Sequence, residues 1–276
     1  MPHTSLSSPS TQPVFYLAHG GGPWPWMSGP RHDAHAQLAA SLRVLPGLLP
    51  APPKAVLMVT AHWEAPEFTL GSHPAPPMLY DYYGFPANTY EVLYPAPGNP
   101  ALAARVQALL QGSGIAAALD GERGFDHGTF VPMAVAWPQA NIPVLQMSLR
   151  AGLDPKQHLA AGRALAPLRR EGVLIIGSGL SFHNLRLFNE AAIEPSAAFD
   201  AWLGQSLIGT DASTRAAALA SWEAAPSARL IHPREEHLLP LMVVAGAAGD
   251  DRASRSYHED RFMGVASVSS FMFSAS

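Results

Sequence analysis

The chain contains no cysteine among its 276 residues. Disulfides, iron–sulfur clusters and thiolate nucleophiles are thereby excluded, and any metal has to be held by nitrogen and oxygen donors. Charge is sparse as well, at 14% of residues with a net charge of −4, and Lys and Arg form no run. Without a basic footprint, nucleic acid and other polyanions are not expected as partners. No apolar run approaches the roughly 18 residues of a membrane span. The opening MPHTSLSSPSTQP lacks the charged and apolar regions of a secretion signal. A cytoplasmic chain without membrane segments is the expectation.

What the chain has in quantity is apolar surface, 48% of residues, together with 27 prolines and 12 histidines. The apolar content suffices for one sizeable core, and the prolines favour ordered loops over a helical bundle. Residues 1–12, rich in Ser, Thr and Pro, read as a flexible tail, and 13–276 as a single domain. The short apolar runs at 14–18 and 55–61 have the length and composition of strands covered on both faces, and each ends at a histidine. Helical spacing of Leu and Ala at about 32–45 joins them into a β-α-β unit. Further strands are expected near 115 and at 142–149, 173–176 and 265–273. Helices are expected near 100–110, 131–138, 155–170, 195–208, 212–224 and 235–247. The Pro-, Gly- and Tyr-rich stretch 66–100 promises little regular structure and reads as a wall or lid. The fold class is therefore α/β, with a central, mostly parallel or mixed β-sheet flanked by helices. In such sheets ligands bind at the carboxyl ends of the strands.

The histidines fall where that rule matters. His19 (LAHGGG) and His62 (VTAHWE) end two strands, and His183 (IIGSGLSFHNL) follows a third. Each alone reads as a structural histidine; three at one sheet edge can converge on a metal. His127 sits in a Gly-flanked loop, GFDHGTF, where it either approaches a ligand or bonds to Asp126. In IHPREEHLLP, Glu235, Glu236 and His237 open a predicted helix, which offers carboxylate and imidazole together or merely a solvated first turn. His3, His32, His35, His73, His158 and His258 lie in tail, polar or helix-surface contexts and carry no assigned role.

HGGG after a strand is also an oxyanion-hole pattern of serine hydrolases. Their G-x-S-x-G elbow is absent: Ser178 has Ile176 two positions before it, and Ser181 has His183 two positions after. A hydrolase reading also leaves His62, His127 and His237 unexplained.

Taken in order, the first-strand histidine with its glycines and proline, AHW, YDYYGFP with YPAPG, GFDHG, IPVLQMSL, SGLSFHNL and HPREEHLLPL resemble the class III extradiol ring-cleaving dioxygenases. The closest likeness is to the branch named for DOPA 4,5-dioxygenase. The resemblance spans nearly the whole chain. It implies a single catalytic domain with a buried non-haem metal, and insertion of both atoms of O2 into a small catechol beside the diol. Fe(II) is the implied cofactor, which nitrogen and oxygen donors suit; the catechol and O2 are the implied partners, and the chain a monomer or homodimer.

By the same resemblance His19 and His62 are metal ligands, with His237 the third and Glu236 in reserve. His183 is either a fourth ligand or a base and oxygen-binding partner beside the metal; four histidines would suit Zn(II). His127 is the acid–base residue, with Asp126 either orienting it or on the surface. Trp63, Tyr82, Tyr83 and Phe85 line the pocket or the loop core. Arg150 meets an anionic substituent or makes a surface ion pair. HGGGP stands where the resemblance leads one to expect HGSP, which implies a missing hydroxyl near the metal and a loop one residue different. Two competing readings stay open: a zinc metalloprotein of the same fold with hydrolytic or no oxygenase activity, and a silent aromatic-diol-binding protein.

Overall fold

The computed structural model describes residues 11–275. Most of the expected tail, residues 1–10 with His3, lies outside the described residues; Gln12 is buried, its side chain donating to the Ala51 carbonyl at 2.9 Å.

Among the described residues eight strands form one mixed sheet: β1 (Val14–Ala18), β2 (Ala55–Ala65), β3 (Phe68–Gly71), β4 (Ala117–Asp120), β5 (Val144–Arg150), β6 (Val173–Gly179), β7 (Arg252–Phe262) and β8 (Ala266–Ser274). Their order is β4-β3-β5-β2-β6-β1-β8-β7. The central four, β5, β2, β6 and β1, run parallel, while β8 pairs antiparallel with β1 and β7 with β8. Every residue of β1 and β6 is buried, as expected of parallel strands covered on both faces.

The helices are α1 (Pro30–Asp33), α2 (Ala36–Arg43), α3 (Pro100–Gly112), α4 (His127–Ala136), α5 (Pro155–Leu165), α6 (Ile193–Leu207), α7 (Ala212–Ala220), α8 (Ala228–Ile231) and α9 (Leu239–Ala248). Adjacent residues of β6 show how they are divided. Gly177 faces the α9 backbone at Pro240, whereas the Ser178 hydroxyl reaches Gly128 of α4. Since side chains alternate along a strand, α9 and α4 lie on opposite faces. All ten residues of α9 are buried, with α5 and α7 packed over it.

Four expectations are corrected. First, β2 runs past His62 to Ala65, because its register with β5 breaks between Val59 and Glu64 and then resumes. Second, β3 lies within the Pro-rich stretch, and β7 was concealed by its charged sequence RASRSYHEDRF, which suits an edge strand. Third, the helix expected at 235 begins at Leu239. Pro240 has no N–H to give the Glu236 carbonyl, so Glu236 and His237 stay in a turn. Fourth, His35 and His158 are not on the surface: they are 1% and 0% exposed.

His158 accepts the Arg150 backbone N–H at 3.2 Å through Nε2, and its Nδ1 donates to the Asp154 carbonyl at 2.8 Å. Both nitrogens are satisfied only in the neutral ring, and burial pushes the imidazole down to about 4. The unfolded chain protonates this ring below its ordinary value of about 6.5, and the folded chain resists doing so. Stability from this site is therefore complete above pH 6.5 and is lost as pH falls toward 4, by about 3 kcal/mol in all. His158→Gln flattens the pH dependence of the urea-unfolding free energy between pH 6.5 and 4; a slope equal to the parent's would refute this assignment.

Candidate metal centre

The carboxyl ends of β1, β2 and β6 bring the sequence-selected histidines together. His19 follows β1, and the chain turns away at Gly20 with φ +80°. A Cβ there would lie 2.6 Å from Trp24 Nε1 and 2.8 Å from His35, so the turn requires glycine. Trp24 Nε1 donates to the His19 carbonyl at 2.9 Å, and the Gly21 N–H donates to His35 Nε2 at 3.2 Å. Gly21 itself faces open space. His62 sits in the register break of β2, and its N–H donates to Thr60 Oγ1 at 3.1 Å. His127 is the first residue of α4, capped by Asp126. His183 follows β6, its N–H held by the Ile231 carbonyl at 3.2 Å. His237 lies in the turn before α9, where its carbonyl accepts from Tyr16 Oη at 2.7 Å and from the Leu180 N–H at 3.2 Å. A Cβ on Gly179 would overlap that carbonyl.

The five rings crowd one another. The His62 ring lies 4.9, 4.0 and 4.8 Å from those of His19, His127 and His237, centroid to centroid. His183 stacks on His237 at 3.4 Å. Two sets of donor atoms fall within 4.8 Å of one another: His19, His62 and His127, and His183, Glu236 and His237.

Each ring has an oxygen near its Nδ1, within hydrogen-bond geometry for His19, His127 and His237 and at ion-pair distance for His62 and His183. Asp81 faces two of the rings, His127 at 2.8 Å on Oδ1 and His62 at 3.3 Å on Oδ2. Glu236 Oε1 faces two more, His237 at 2.9 Å and His183 at 3.0 Å. His19 Nδ1 meets Ser178 Oγ at 3.0 Å. The Ser178 proton is directed to the Gly128 carbonyl, so its oxygen accepts from His19. Burial works against ionisation of Asp81 and Glu236, but the histidine contacts, joined at Glu236 by its own backbone N–H and by Arg234, outweigh it and hold both carboxyls below their ordinary values. As acceptors they assign the proton to Nδ1 in His127 and His237.

The consequence concerns Nε2. His19 and His62 place their Nε2 atoms 3.1 Å apart. With both protons assigned to Nδ1, two lone pairs face each other; with a proton on either Nε2 the same contact is a hydrogen bond. The charged imidazolium form is disfavoured, since burial and the neighbouring imidazoles push His62 down to about 3 and His19 well below its ordinary value. A cation fits this donor set. Two imidazoles at about 2.0–2.1 Å from a tetrahedral ion sit about 3.3 Å apart, close to the spacing found.

The histidines floor a cavity of about 490 Å³ whose walls include Tyr82, Phe85, Leu180, Phe188 and Phe262. Tyr82, Tyr83 and Phe85 line it as expected; Trp63 does not, stacking instead under the Arg123 guanidinium at 4.5 Å. Asp126 is fully buried rather than on the surface, accepting from Thr60 Oγ1 at 2.8 Å and paired with Arg123 at 3.2 Å. The carboxylate that orients His127 is Asp81, which the sequence reading missed; it stands beside Tyr82 in YDYYGFP, a motif already selected. Arg150 bonds to Gln157 away from the cavity. Among the described residues lining the cavity, Arg31 is the one Lys or Arg.

Residues 12–272 match the model of the catalytic LigB subunit of aromatic ring-opening dioxygenase, and the chain belongs to that family. Within it the chain falls in the DOPA-type branch of the class III extradiol dioxygenases. It is 40% identical over 228 residues to a 4,5-DOPA dioxygenase extradiol of Beta vulgaris, covering 81% of this chain and 84% of that protein. It is 38% identical over 270 residues to dioxygenase tasH of Hapsidospora irregularis, covering 92% and 83%. The solved structure of the uncharacterized protein JW3007 from Escherichia coli K12 superposes with a TM-score of 0.76 at 29% identity, over 95% of this chain and 99% of that one. Among the described residues no helix is long and apolar enough to cross a membrane.

Gly179→Ala tests how β6 places His237. The added methyl must displace the His237 carbonyl, costing about 1–3 kcal/mol as overpacking. A Co(II) titration weakens in parallel with this loss; parental Co(II) affinity in the destabilised variant would show that His237 is placed by other contacts.

Proposed function

We propose that this chain is a non-haem, Fe(II)-dependent extradiol dioxygenase that opens the ring of a small catechol beside its diol. The observation that carries this reading is the 3.1 Å approach of the His19 and His62 Nε2 atoms on the wall of an open cavity. His19, His62 and His237 are assigned as ligands on the resemblance, while the donor atoms that group with those of His19 and His62 are those of His127. His127 and His183 act beside the metal. Imidazole donors suit Fe(II), and open coordination positions are what the facial triad of oxygenases provides; here a histidine takes the place of that triad's carboxylate.

Fe(II), when bound, supplies Lewis-acid attraction for the two diol oxygens and the electron exchange that O2 requires. The protein residues do the rest. With Nδ1 tied to Asp81, His127 keeps Nε2 as its basic atom and accepts a diol proton, then returns it during ring opening. The ring of Tyr82 stands edge-on to His127 at 5.8 Å. Its hydroxyl is engaged with the Thr89 carbonyl at 2.5 Å, so an apolar ring is what it offers a substrate. Leu180, Phe188 and Phe262 add further apolar wall to the cavity. His183, with its side chain 23% exposed, is the most open of the five rings and suits a partner for O2 or a proton.

One observation favours a second reading. His183 and His237 share Glu236 as anchor, so His183 is equally equipped as a fourth ligand, a closed set typical of structural zinc. Anaerobic loading with Fe(II), followed by a panel of catechols in air, separates the two. Matched O2 uptake and a yellow semialdehyde support the dioxygenase, and absence of uptake with every diol sinks it.

The roles of individual histidines are separable. His62→Ala loses metal retention by elemental analysis. His127→Ala keeps its metal and turns over about 100-fold more slowly or worse; metal loss in that variant would mean that His127 is a ligand.

Substrate charge is read at Arg31, whose guanidinium lies 5.8 Å from the Phe85 ring centroid at the cavity wall. Arg31→Met raises KM for catechols bearing a carboxylate and leaves neutral catechols unchanged. Equal shifts for both classes would remove Arg31 from recognition.

A further inference from the structure

We infer that Asp81 is a positioning residue that keys the metal ligand to the acid–base residue: its two carboxylate oxygens fix His62 and His127 in the tautomers that their separate tasks require. This rests on the proposed roles of those two histidines. The geometry is specific. Oδ2 faces His62 Nδ1 at 3.3 Å, while Oδ1 accepts both the ring Nδ1–H of His127 at 2.8 Å and its backbone N–H at 3.0 Å. The two rings lie 4.0 Å apart at 49°, so one carboxylate sets the rotation of both. Asp81 also precedes Tyr82, whose ring contacts His127. The aromatic wall of the cavity and the two histidines are thus joined through one residue.

An amide cannot replace this carboxylate, although it has the same shape. Asparagine carries one acceptor oxygen and one NH2 donor group. Two donors of His127 converge on the Oδ1 position, so the amide oxygen goes there. The NH2 group then confronts His62 Nδ1–H, donor against donor. His62 relieves the clash by moving its proton to Nε2, which removes the lone pair that faces His19. Alanine at 81 removes the carboxylate without installing a donor, and water can accept from His62 Nδ1–H in its place. Metal binding is therefore predicted to suffer more from asparagine than from alanine. A merely structural role gives the reverse order, because asparagine preserves shape.

The experiment is a Co(II) titration, followed by the visible spectrum, of the full chain and its Asp81→Asn, Asp81→Ala and His127→Ala variants, with unfolding midpoints measured alongside. Loss of an outer hydrogen bond to a ligating histidine typically weakens metal binding 10- to 100-fold. Asp81→Asn falls in that range, Asp81→Ala loses less, and His127→Ala stays within about twofold of the parent. Imidazole 15N shifts of the Asp81→Asn chain report His62 protonated on Nε2. Parental affinity in Asp81→Asn, or a greater loss in Asp81→Ala, overturns the inference while leaving the metal-site reading intact. Failure of the parent chain to bind Co(II) overturns both.

Discussion

The site depends on a constraint on protons. An imidazole presents a lone pair to a metal from one nitrogen only if the proton on the other is accepted elsewhere. The fold places an oxygen beside the Nδ1 of five rings within one cavity: Ser178, Asp81 and Glu236 hydrogen-bond His19, His127 and His237, and the same two carboxylates stand at ion-pair distance from His62 and His183. The acceptors come from a loop, a turn and a strand far apart in sequence, and all lie at one edge of the sheet. Remove them and the rings are free to rotate or exchange tautomers, and five histidines in proximity no longer amount to a donor set.

Backbone contacts make that arrangement rigid. His19 and His237, the two most deeply buried rings, are held by their own carbonyls: His19 by the Trp24 indole, and His237 by the Tyr16 hydroxyl and the Leu180 N–H. Glycine is needed where these carbonyls pass close to another element. Gly20 lets the chain leave β1 beneath Trp24, and Gly179 lets β6 touch the turn that carries His237. The glycine run that suggests an oxyanion hole is thus divided in function: Gly20 is demanded by packing, whereas Gly21 meets nothing and widens the cavity floor.

Much of this was legible locally. Strand-length apolar runs ending near histidines foretold both the parallel core and the edge at which the site forms, and the order of motifs foretold the family. What remained hidden was set by pairing between distant segments. Asp81 lies 46 residues from His127, so the neighbouring Asp126 was the natural candidate until the fold put it to work capping α4. Ser178 was weighed only as a nucleophile; its service to His19 depends on the register that sets Leu17 opposite it. The edge strand β7 was masked because its charged residues, apt for blocking further strand pairing, erase the hydrophobic alternation by which strands are read.

The register break in β2 has a consequence for how this protein can change. From Val59 to Glu64 the strand advances five residues, while its partner β5 advances two, from Met147 to Leu149. Five is odd and two is even, so the break reverses which face each later residue of β2 presents. The segment before it obeys the core, and the segment after it obeys the rim of the cavity. A repacked core over 55–59 therefore need not turn His62, whereas gain or loss of a single residue between 60 and 63 inverts everything beyond it. The strand is thus divided into one stretch constrained by the volume of the buried core and another constrained by its length.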